Sequence, residues 1–414
     1  MVYSVIHRTP AQKNREIYMS RMYTQNYCRF LLGINLFTVF FVCPKPYLFK
    51  VFEELEEHIP HVEFTHVPTP VIHLKNTGSF MRMEHLYCKQ DARVGELFGG
   101  NKVRKLEFLL GDALRKKAKH IITVGLVGSN HAAATAVYSH HVGLPCTLVL
   151  APQAVTSYTK RNLLIDYAYG ATLYHTQNYK ERANKVLELI KYYTEHDGTE
   201  PYVIPAGGAT PYGALGFVNA VYELKEQIER HELPEPDIIV APLGTAGTVA
   251  GLLLGIRMCN LKTKVLAVSI DKSSVTELKE HINVIFRNTN SLLSGYSSQI
   301  PKFELSDNDY SIDTDHAGSY YAQVTHDAAD AIELLSSTEG VKLDGTYAGK
   351  AFAALMHQAK QDHALTKKVV LFWNTFSSGE VKLPEHKNGI DYHELPLGFH
   401  AYFEASVEAR DRGY

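Results

Sequence analysis

The feature that most constrains this chain is a regular exchange of two hydrophobic patterns between His120 and Ile270. Short runs of buried type read as strands: His120–Leu126, Cys146–Ala151, Ala171–His175, Tyr202–Pro205, Asp237–Pro242 and Lys264–Ile270. The stretches between them read as helices: Ala132–His141, Thr159–Tyr169, Glu181–His196, Leu215–Glu229 and Val249–Met258. Consecutive parallel strands need a long crossover, and a helix supplies it. The alternation therefore predicts a parallel sheet covered on both faces by helices. In such sheets ligands sit beyond the carboxyl ends of the strands, so the loops there are the place to look for chemistry.

The flanks are less regular. Val67–Leu74 (V-P-T-P-V-I-H-L) reads as a turn entering a strand, and Leu86–Lys89 as another strand. Val103, Leu106, Leu109, Leu110, Ala113 and Leu114 predict an amphipathic helix that ends in basic Arg115, Lys116 and Lys117, a sign that suits its dipole. Residues 280–325 mix Asn, Ser, Asp and Tyr with little periodicity. Thr325–Leu335 looks helical, a helix is expected over 351–360, and Val369–Trp373 is a strand of buried type. The tail from 381 to 414 reads as a surface extension.

A chain of 414 residues suggests two or three domains. The formal net charge of −2, with Lys and Arg dispersed, argues against a nucleic-acid partner. The five cysteines are scattered, without a C-x-x-C pair, so neither a zinc ribbon nor a disulfide framework is indicated and a reducing, cytoplasmic setting is expected. The histidines lack a metal-site pattern, and no metal is expected. Residues 1–45 differ from the rest, and their apolar run Phe30–Cys43 is short for a membrane helix, which needs roughly 17–25 residues. The ranking is a leader outside the fold, then a targeting segment, then an anchor; stable membrane insertion is not expected, and organellar targeting stays open.

Gly99–Glu107 (G-G-N-K-V-R-K-L-E) places Lys102 at a loop-to-helix junction. Glycines there permit left-handed backbone, and a helix N-terminus offers free N–H groups to an anion. A lysine so placed can have its pKa lowered and form a Schiff base. Alone, the stretch reads more readily as a surface turn with ordinary basic residues; the rest of the chain reverses that preference. Gly244-Thr245-Ala246-Gly247-Thr248 is the best phosphate candidate: small residues, a possible nest of amides, two hydroxyls and a following helix. It is neither a Walker A loop nor a G-x-G-x-x-G, and alone it could be a tight strand–helix turn. A Schiff-base lysine with a single phosphate site points to pyridoxal 5′-phosphate. Ser129-Asn130-His131 offers a hydroxyl, an amide and an imidazole at another helix start, where capping is the competing role. Tyr347, between Gly345 and Gly349, fits an acid/base or nucleophile, or a core tyrosine.

Taken in order, G-G-N-K-V-R-K-L-E, V-G-S-N-H, I-P-A-G-G-A-T-P-Y-G-A-L-G-F, A-P-L-G-T-A-G-T-V-A-G-L and D-G-T-Y-A-G-K-A resemble one family over Val67 to Gly379. It is the 1-aminocyclopropane-1-carboxylate deaminase / D-cysteine desulfhydrase family of tryptophan-synthase-like, type II pyridoxal-phosphate enzymes. The resemblance implies an α/β fold of two open, mostly parallel twisted sheets with helices on both faces, and the cofactor in the cleft between the domains. It divides the chain into a leader (1–49), a large cofactor-binding domain (50–105 and 216–414) and a small domain (106–215). A homodimer acting on a small amino acid is expected.

The resemblance also assigns roles. Lys102 would be the Schiff-base lysine and proton shuttle, with Asn101 and Lys105 beside it on the cofactor. Asn130 would bond the cofactor's 3-hydroxyl, Gly244–Thr248 would hold the phosphate, and Ser129, Asn130 and His131 would line the substrate side, with Ser129 a catalytic candidate beside Lys102 and Tyr347. Tyr347 matches the family's active-site tyrosine. Two positions depart from the deaminases: Ala348 stands where they have a Glu that pairs with the pyridine nitrogen, and Gly128 where they have Gln. A hydroxyl such as Thr375 could bond that nitrogen instead, giving a weaker electron sink that suits β-elimination better than ring opening. The expected reaction is D-cysteine desulfhydrase-like: Lys102 or Tyr347 removes the α-proton, the β-group leaves, and pyruvate, ammonia and sulfide result. The alternatives are 1-aminocyclopropane-1-carboxylate deaminase, giving 2-oxobutyrate; a catalytically silent, cofactor-binding regulatory protein; and an α/β binding module without cofactor.

Overall fold

A computed structural model describes residues 45–379, 381–384 and 389–411. Most of the expected leader, including Phe30–Cys43, lies outside the described residues. The expected boundary at residue 49 falls inside the first helix, α1 (Tyr47–Val51), whose Tyr47, Leu48 and Phe49 are buried. The Leu48 amide donates to Asn219 Oδ1 at 2.9 Å, so this end of the segment is part of the fold.

In chain order α2 (Leu55–His58), β1 (Val71–His73), α3 (Lys75–Met81), β2 (Leu86–Gln90) and α4 (Asn101–Arg115) come first. Next are β3 (Ile121–Leu126), α5 (Asn130–His141), β4 (Cys146–Ala151), α6 (Ser157–Ala168), β5 (Thr172–His175), α7 (Tyr179–Asp197) and β6 (Tyr202–Ile204). Then follow α8 (Pro211–Glu229), β7 (Ile238–Leu243), α9 (Gly247–Met258), β8 (Lys264–Ser269), α10 (Val275–Tyr296) and β9 (Tyr310–Asp313). The chain continues with α11 (His326–Glu339), α12 (Ala348–Gln361), β10 (Val370–Asn374) and α13 (His400–Glu404). The strands form two sheets, one ordered β1-β2-β10-β7-β8-β9 and one ordered β5-β4-β3-β6. All neighbours pair in parallel except β1 and β2. Val370 of β10 sits opposite Leu86 on one side and Ile238 on the other, so the C-terminal strand is the centre of the larger sheet.

Burial explains these choices. Every residue of β4 (C-T-L-V-L-A) is buried, as a strand covered on both faces must be. Strands β7 and β10 are buried along nearly their whole length for the same reason. The irregular-looking stretch after 274 is instead the 22-residue helix α10. Its signals are a capping box, Ser274 with Glu277, and a buried stripe of Leu278, Ile282, Phe286 and Leu293. Polar residues between those positions face outward and dilute the pattern. The tail also differs from the expected surface extension: Leu395 and Phe399 are buried in the core around the four-stranded sheet.

Helix α4 is held closely. A Cβ at Gly216 of α8 would meet the Arg104 carbonyl oxygen at 2.2 Å, so glycine there lets the two helices touch backbone to backbone. Beneath it lies a buried charge network. Arg104 donates to Asp91 Oδ2 at 3.0 Å, Asp91 Oδ1 at 2.8 Å and Glu223 Oε2 at 2.7 Å. Lys89 Nζ donates to Glu223 Oε1 at 2.5 Å and Gln227 Oε1 at 2.6 Å, and Trp373 Nε1 to Asp91 Oδ2 at 2.7 Å. Burial alone would raise the Glu223 carboxyl, but Arg104 and Lys89 overcome it and hold it down to about 2. Charges are tolerated here because the donors and acceptors are matched. The effect is to fix the helix that carries Lys102.

Candidate active site

Between the two sheets lies a cavity of about 390 Å³. Its wall is built from the ends predicted by the strand–helix pattern: the loops after β3, β7, β8 and β10 and the first turns of α4, α5 and α9. It brings together Asn101, Lys102, Lys105, Ser129, Asn130, His131, Gly244, Thr245, Ala246, Gly247, Thr248, Tyr347 and Thr375. These positions span the chain from 101 to 375, and only the fold makes them neighbours.

The lysine turn is bound to the end of β10. Gly99 N–H donates to Ser377 Oγ at 3.1 Å, Gly100 N–H to the Asp91 carbonyl at 2.8 Å and Asn101 N–H to the Thr375 carbonyl at 3.1 Å. Gly100 has φ 82°, and a Cβ there would meet the Thr375 carbonyl oxygen at 2.9 Å, so this position requires glycine. Lys102 follows, partly buried and open to the cavity. Burial pushes its ammonium down to about 8, and the Asp344 carboxylate opposes the shift. Lys105, one turn on, donates from Nζ to the Gly207 carbonyl at 3.1 Å. Burial, and then the Lys102 charge, depress it well below its ordinary value.

The Gly244–Thr248 turn is a cradle. Ala246 takes φ 64°, a left-handed conformation in a residue other than glycine. The turn folds back with Gly247 N–H donating to the Thr245 carbonyl at 2.9 Å. The amides of Ala246, Thr248 and Val249 find no acceptor among the described residues, as the first N–H groups of a helix do not. A Cβ at Gly247 would approach Lys105 Nζ to 3.0 Å, so a lysine nitrogen stands at this turn. Asn101 Nδ2 donates to Thr248 Oγ1 at 3.1 Å and ties cradle to lysine turn. Free amides, a hydroxyl and a lysine nitrogen around small residues suit a phosphate group.

Across the cavity, Ser129 caps α5, its Oγ accepting from Ala132 N–H at 3.2 Å. The capping role and exposure to the cavity coexist in one side chain. Asn130 Oδ1 accepts from Asn162 Nδ2 at 2.9 Å, and Asn162 also donates to the Gly128 carbonyl at 3.0 Å. That fixes the Asn130 amide with its nitrogen free for a ligand. A Cβ at Gly128 would meet Gln153 Nε2 at 2.5 Å and Thr159 Oγ1 at 2.9 Å, so these neighbours fill the place of a side chain. His131 is buried with neither ring nitrogen in a well-formed hydrogen bond. Burial, then the charges of Lys102 and Lys105, push its imidazole well below the ordinary range, with the Pro205 carbonyl opposing.

Tyr347 lies at the start of α12, its ring centroid 6.0 Å from Lys102 Nζ. Burial pushes its phenol up to about 12, and a hydrogen bond to the Tyr321 hydroxyl pulls the other way. The turn is organised by Asp344, whose carboxylate accepts from the amides of Thr346 at 3.0 Å, Tyr347 at 2.8 Å and Ala348 at 3.0 Å. Lys350 anchors it from behind, donating to the Ile270 carbonyl at 3.1 Å and the Ala317 carbonyl at 2.6 Å. Tyr321, Asp344 and Asn162 were not singled out in the sequence. Tyr321 lies in the stretch without periodicity and had no signal; Asp344 opens the D-G-T-Y turn, where an Asp followed by free amides is an Asx-type cue.

A family model described as "Pyridoxal-phosphate dependent enzyme" matches residues 62–375. The chain belongs to that family. Its cofactor is therefore pyridoxal phosphate, and the cradle, the Lys105 nitrogen beside it and the depressed Lys102 fit a phosphate and an aldehyde. The chain is 36% identical over 313 residues to a Pyrococcus abyssi protein provisionally named 1-aminocyclopropane-1-carboxylate deaminase, covering 75% of this chain and 89% of that one. It is 30% identical over 320 residues to the D-cysteine desulfhydrase of Serratia proteamaculans, covering 76% and 93%. Among solved structures, that of an ACC deaminase homologue matches with a TM-score of 0.68 at 28% identity, over 87% of this chain and 100% of that one. The two-sheet α/β architecture expected from the sequence is that of the ACC deaminase homologue it matches. Among the described residues, no helix is long and apolar enough to cross a membrane, and no cluster of side chains could hold a metal ion.

Proposed function

We propose that this enzyme eliminates the β-substituent of a small amino acid, in the manner of a D-cysteine desulfhydrase, releasing pyruvate, ammonia and, from cysteine, sulfide. Bound pyridoxal phosphate supplies an electron sink for charge developing at the substrate's α-carbon. Lys102 would hold the aldehyde carbon and Gly244–Thr248 the phosphate, with Lys105 and Asn101 beside it. Asn130 would bond the 3-hydroxyl and the Thr375 hydroxyl the pyridine nitrogen. Ser129, Asn130 and His131 would receive the substrate, the free amides of the α5 N-terminus suiting its carboxylate.

The observation that carries this reading is the opposition of two groups on one cavity. Lys102, depressed to about 8, is a base when neutral; Tyr347, pushed up to about 12, is an acid that keeps its proton. Groups whose surroundings drive their pKa values apart divide acid and base roles. Lys102 takes the α-proton from one face, and the Tyr347–Tyr321 hydroxyl pair stands on the tyrosine side to receive or return a proton. The division into a cofactor-binding domain and a smaller domain at residues 105/106 and 215/216 remains our assignment, consistent with a four-stranded sheet whose strands run from Ile121 to Ile204. Buried, unpaired Cys88, Cys146 and Cys259 support work in a reducing, cytoplasmic compartment.

The second reading, 1-aminocyclopropane-1-carboxylate deaminase, is favoured by the names of several relatives. Against it stands Ala348, fully buried where a carboxylate would be needed for a protonated pyridine ring. One assay separates the two: incubate the cofactor-loaded enzyme with D-cysteine, L-cysteine, D-serine and 1-aminocyclopropane-1-carboxylate, and measure pyruvate and 2-oxobutyrate. Pyruvate from cysteine supports elimination. 2-Oxobutyrate with no pyruvate replaces it by the deaminase reading.

A further inference from the structure

Among the described residues, the cavity wall carries one cation that the cofactor roles leave unused. Arg182 sits in the first turn of α7 and lines the cavity beside Gly125. Its Nη1 donates to the Gly125 carbonyl at 3.2 Å, and the guanidinium carbon lies 4.7 Å from the Tyr179 ring centroid. No carboxylate among the described residues forms an ion pair with it, and Tyr179 is its electrostatic neighbour. Arginine carries five N–H donors in a rigid fork, so most of its donor capacity is unclaimed by the protein. A partly buried guanidinium is favourable when an anion completes it, and its geometry matches carboxylate, sulfonate and sulfate oxygens.

The other charged groups lining the cavity have roles or partners of their own. Lys102 is the proposed Schiff-base lysine, and Lys105 donates to the Gly207 carbonyl beside the Gly247 turn. Asp344 is saturated by three amides, and Asp271 accepts from Ser273 N–H at 3.0 Å. Arg182 is placed on the substrate side. It grips the backbone of Gly125, and a Cβ at Gly125 would touch Ser129 Cβ at 2.8 Å, so Arg182 and the Ser129-Asn130-His131 turn border one end of the cavity.

We propose that Arg182 determines specificity, selecting small amino acids whose side chain ends in an anionic group such as a sulfonate, sulfate or carboxylate. This rests on the reading of the cavity as an amino-acid site for elimination. With serine O-sulfate, the Cα–H bond breaks to a protein base and the Cβ–O bond breaks with its electron pair leaving on sulfate. A Cα=Cβ bond forms, and hydrolysis of the resulting enamine by water gives pyruvate and ammonium.

Calorimetric titration of the cofactor-loaded protein with cysteate and with alanine, each enantiomer in turn, tests the assignment. The wild type should bind one enantiomer of cysteate about tenfold or more tightly than the matching alanine, the value of one added charged hydrogen-bonded contact. Arg182→Gln should bring that ratio to near one, and Arg182→Lys should restore part of it. Alanine binding by each variant reports that it is folded. A wild-type ratio near one overturns the proposal. So does an Arg182→Gln variant that keeps the ratio, because Arg182 would then serve the α-carboxylate common to both ligands or only the fold. Pyruvate release from β-chloroalanine, run in parallel, tests elimination by itself: its absence with the ratio intact would remove the elimination reading and leave the anion selectivity standing.

Discussion

Asn101 Nδ2 donates to Thr248 Oγ1 at 3.1 Å, joining two turns that lie 147 positions apart in the chain. In the proposed arrangement one turn presents the Schiff-base lysine and the other holds the phosphate, so this bond would help set the distance between the two ends of the cofactor. Thr248→Val removes the bond with little change in volume. A neutral hydrogen bond contributes about 1 kcal/mol, so cofactor affinity should fall several-fold. Titration of the cofactor-free protein with pyridoxal phosphate, followed by visible absorbance, measures this; unchanged affinity would show that the two turns are held apart by other contacts.

Tyr347 and Tyr321 form a pair through their hydroxyls. Tyr347→Phe should lower kcat by about 10²–10⁴, the range of a lost acid/base group, while cofactor binding persists. Tyr321→Phe should be milder. The Tyr321 bond pulls the Tyr347 pKa down, so losing it raises Tyr347 further and shifts the basic limb of the pH–rate profile upward. A downward shift would show that Tyr321 acts on some other group.

Lys102 gives a pH dependence with a definite sign. Only the neutral amine attacks an aldehyde, so the rate at which cofactor-free protein takes up pyridoxal phosphate should rise with pH and level off above about 8. Asp344 opposes the depression, so Asp344→Asn should move that midpoint lower. The same shift links to stability. An unfolded lysine titrates near 10.5, so between about 8 and 10.5 the unfolded chain binds the extra proton, and this group's contribution to stability rises with pH across that window. Stopped-flow absorbance at stepped pH values reads the first effect, and thermal denaturation the second.

The charge network under α4 should be costly to break on one side. Glu223→Gln leaves Arg104 and Lys89 without a carboxylate they share, in a place without solvent. Removing one member of a buried pair typically costs about 3–5 kcal/mol. Urea unfolding measures this directly. Trp373, the chain's single tryptophan, donates to Asp91 in the same network, so its fluorescence reports the transition.

Much of this site was legible in the sequence because its parts sit at strand–helix junctions, where local composition and position agree. G-G-N-K, G-S-N-H and G-T-A-G-T combine glycine or small residues with polar groups at a helix start, and the fold converges them. Other parts had no local signature. Tyr321 lies mid-way along the connection from β9 to α11, at the end of neither element, so nothing near it marks it, and only the chain path brings its hydroxyl to Tyr347. Arg104 looked like one more basic residue on an amphipathic helix; its partners Asp91 and Glu223 lie far off in sequence, and buried ion networks have no period. Helix α10 was obscured because its buried stripe is narrow and the rest of its surface is polar. Phe399 was hidden by a tail whose polar residues outweighed one buried anchor.

The central claim is that Lys102 carries the cofactor. Borohydride reduction of the loaded protein, followed by peptide mass spectrometry, tests it most directly. The cofactor mass should appear on the peptide containing Lys102 and be lost in Lys102→Ala. The same mass on Lys105 or Lys350, or an undiminished yield in Lys102→Ala, would contradict it.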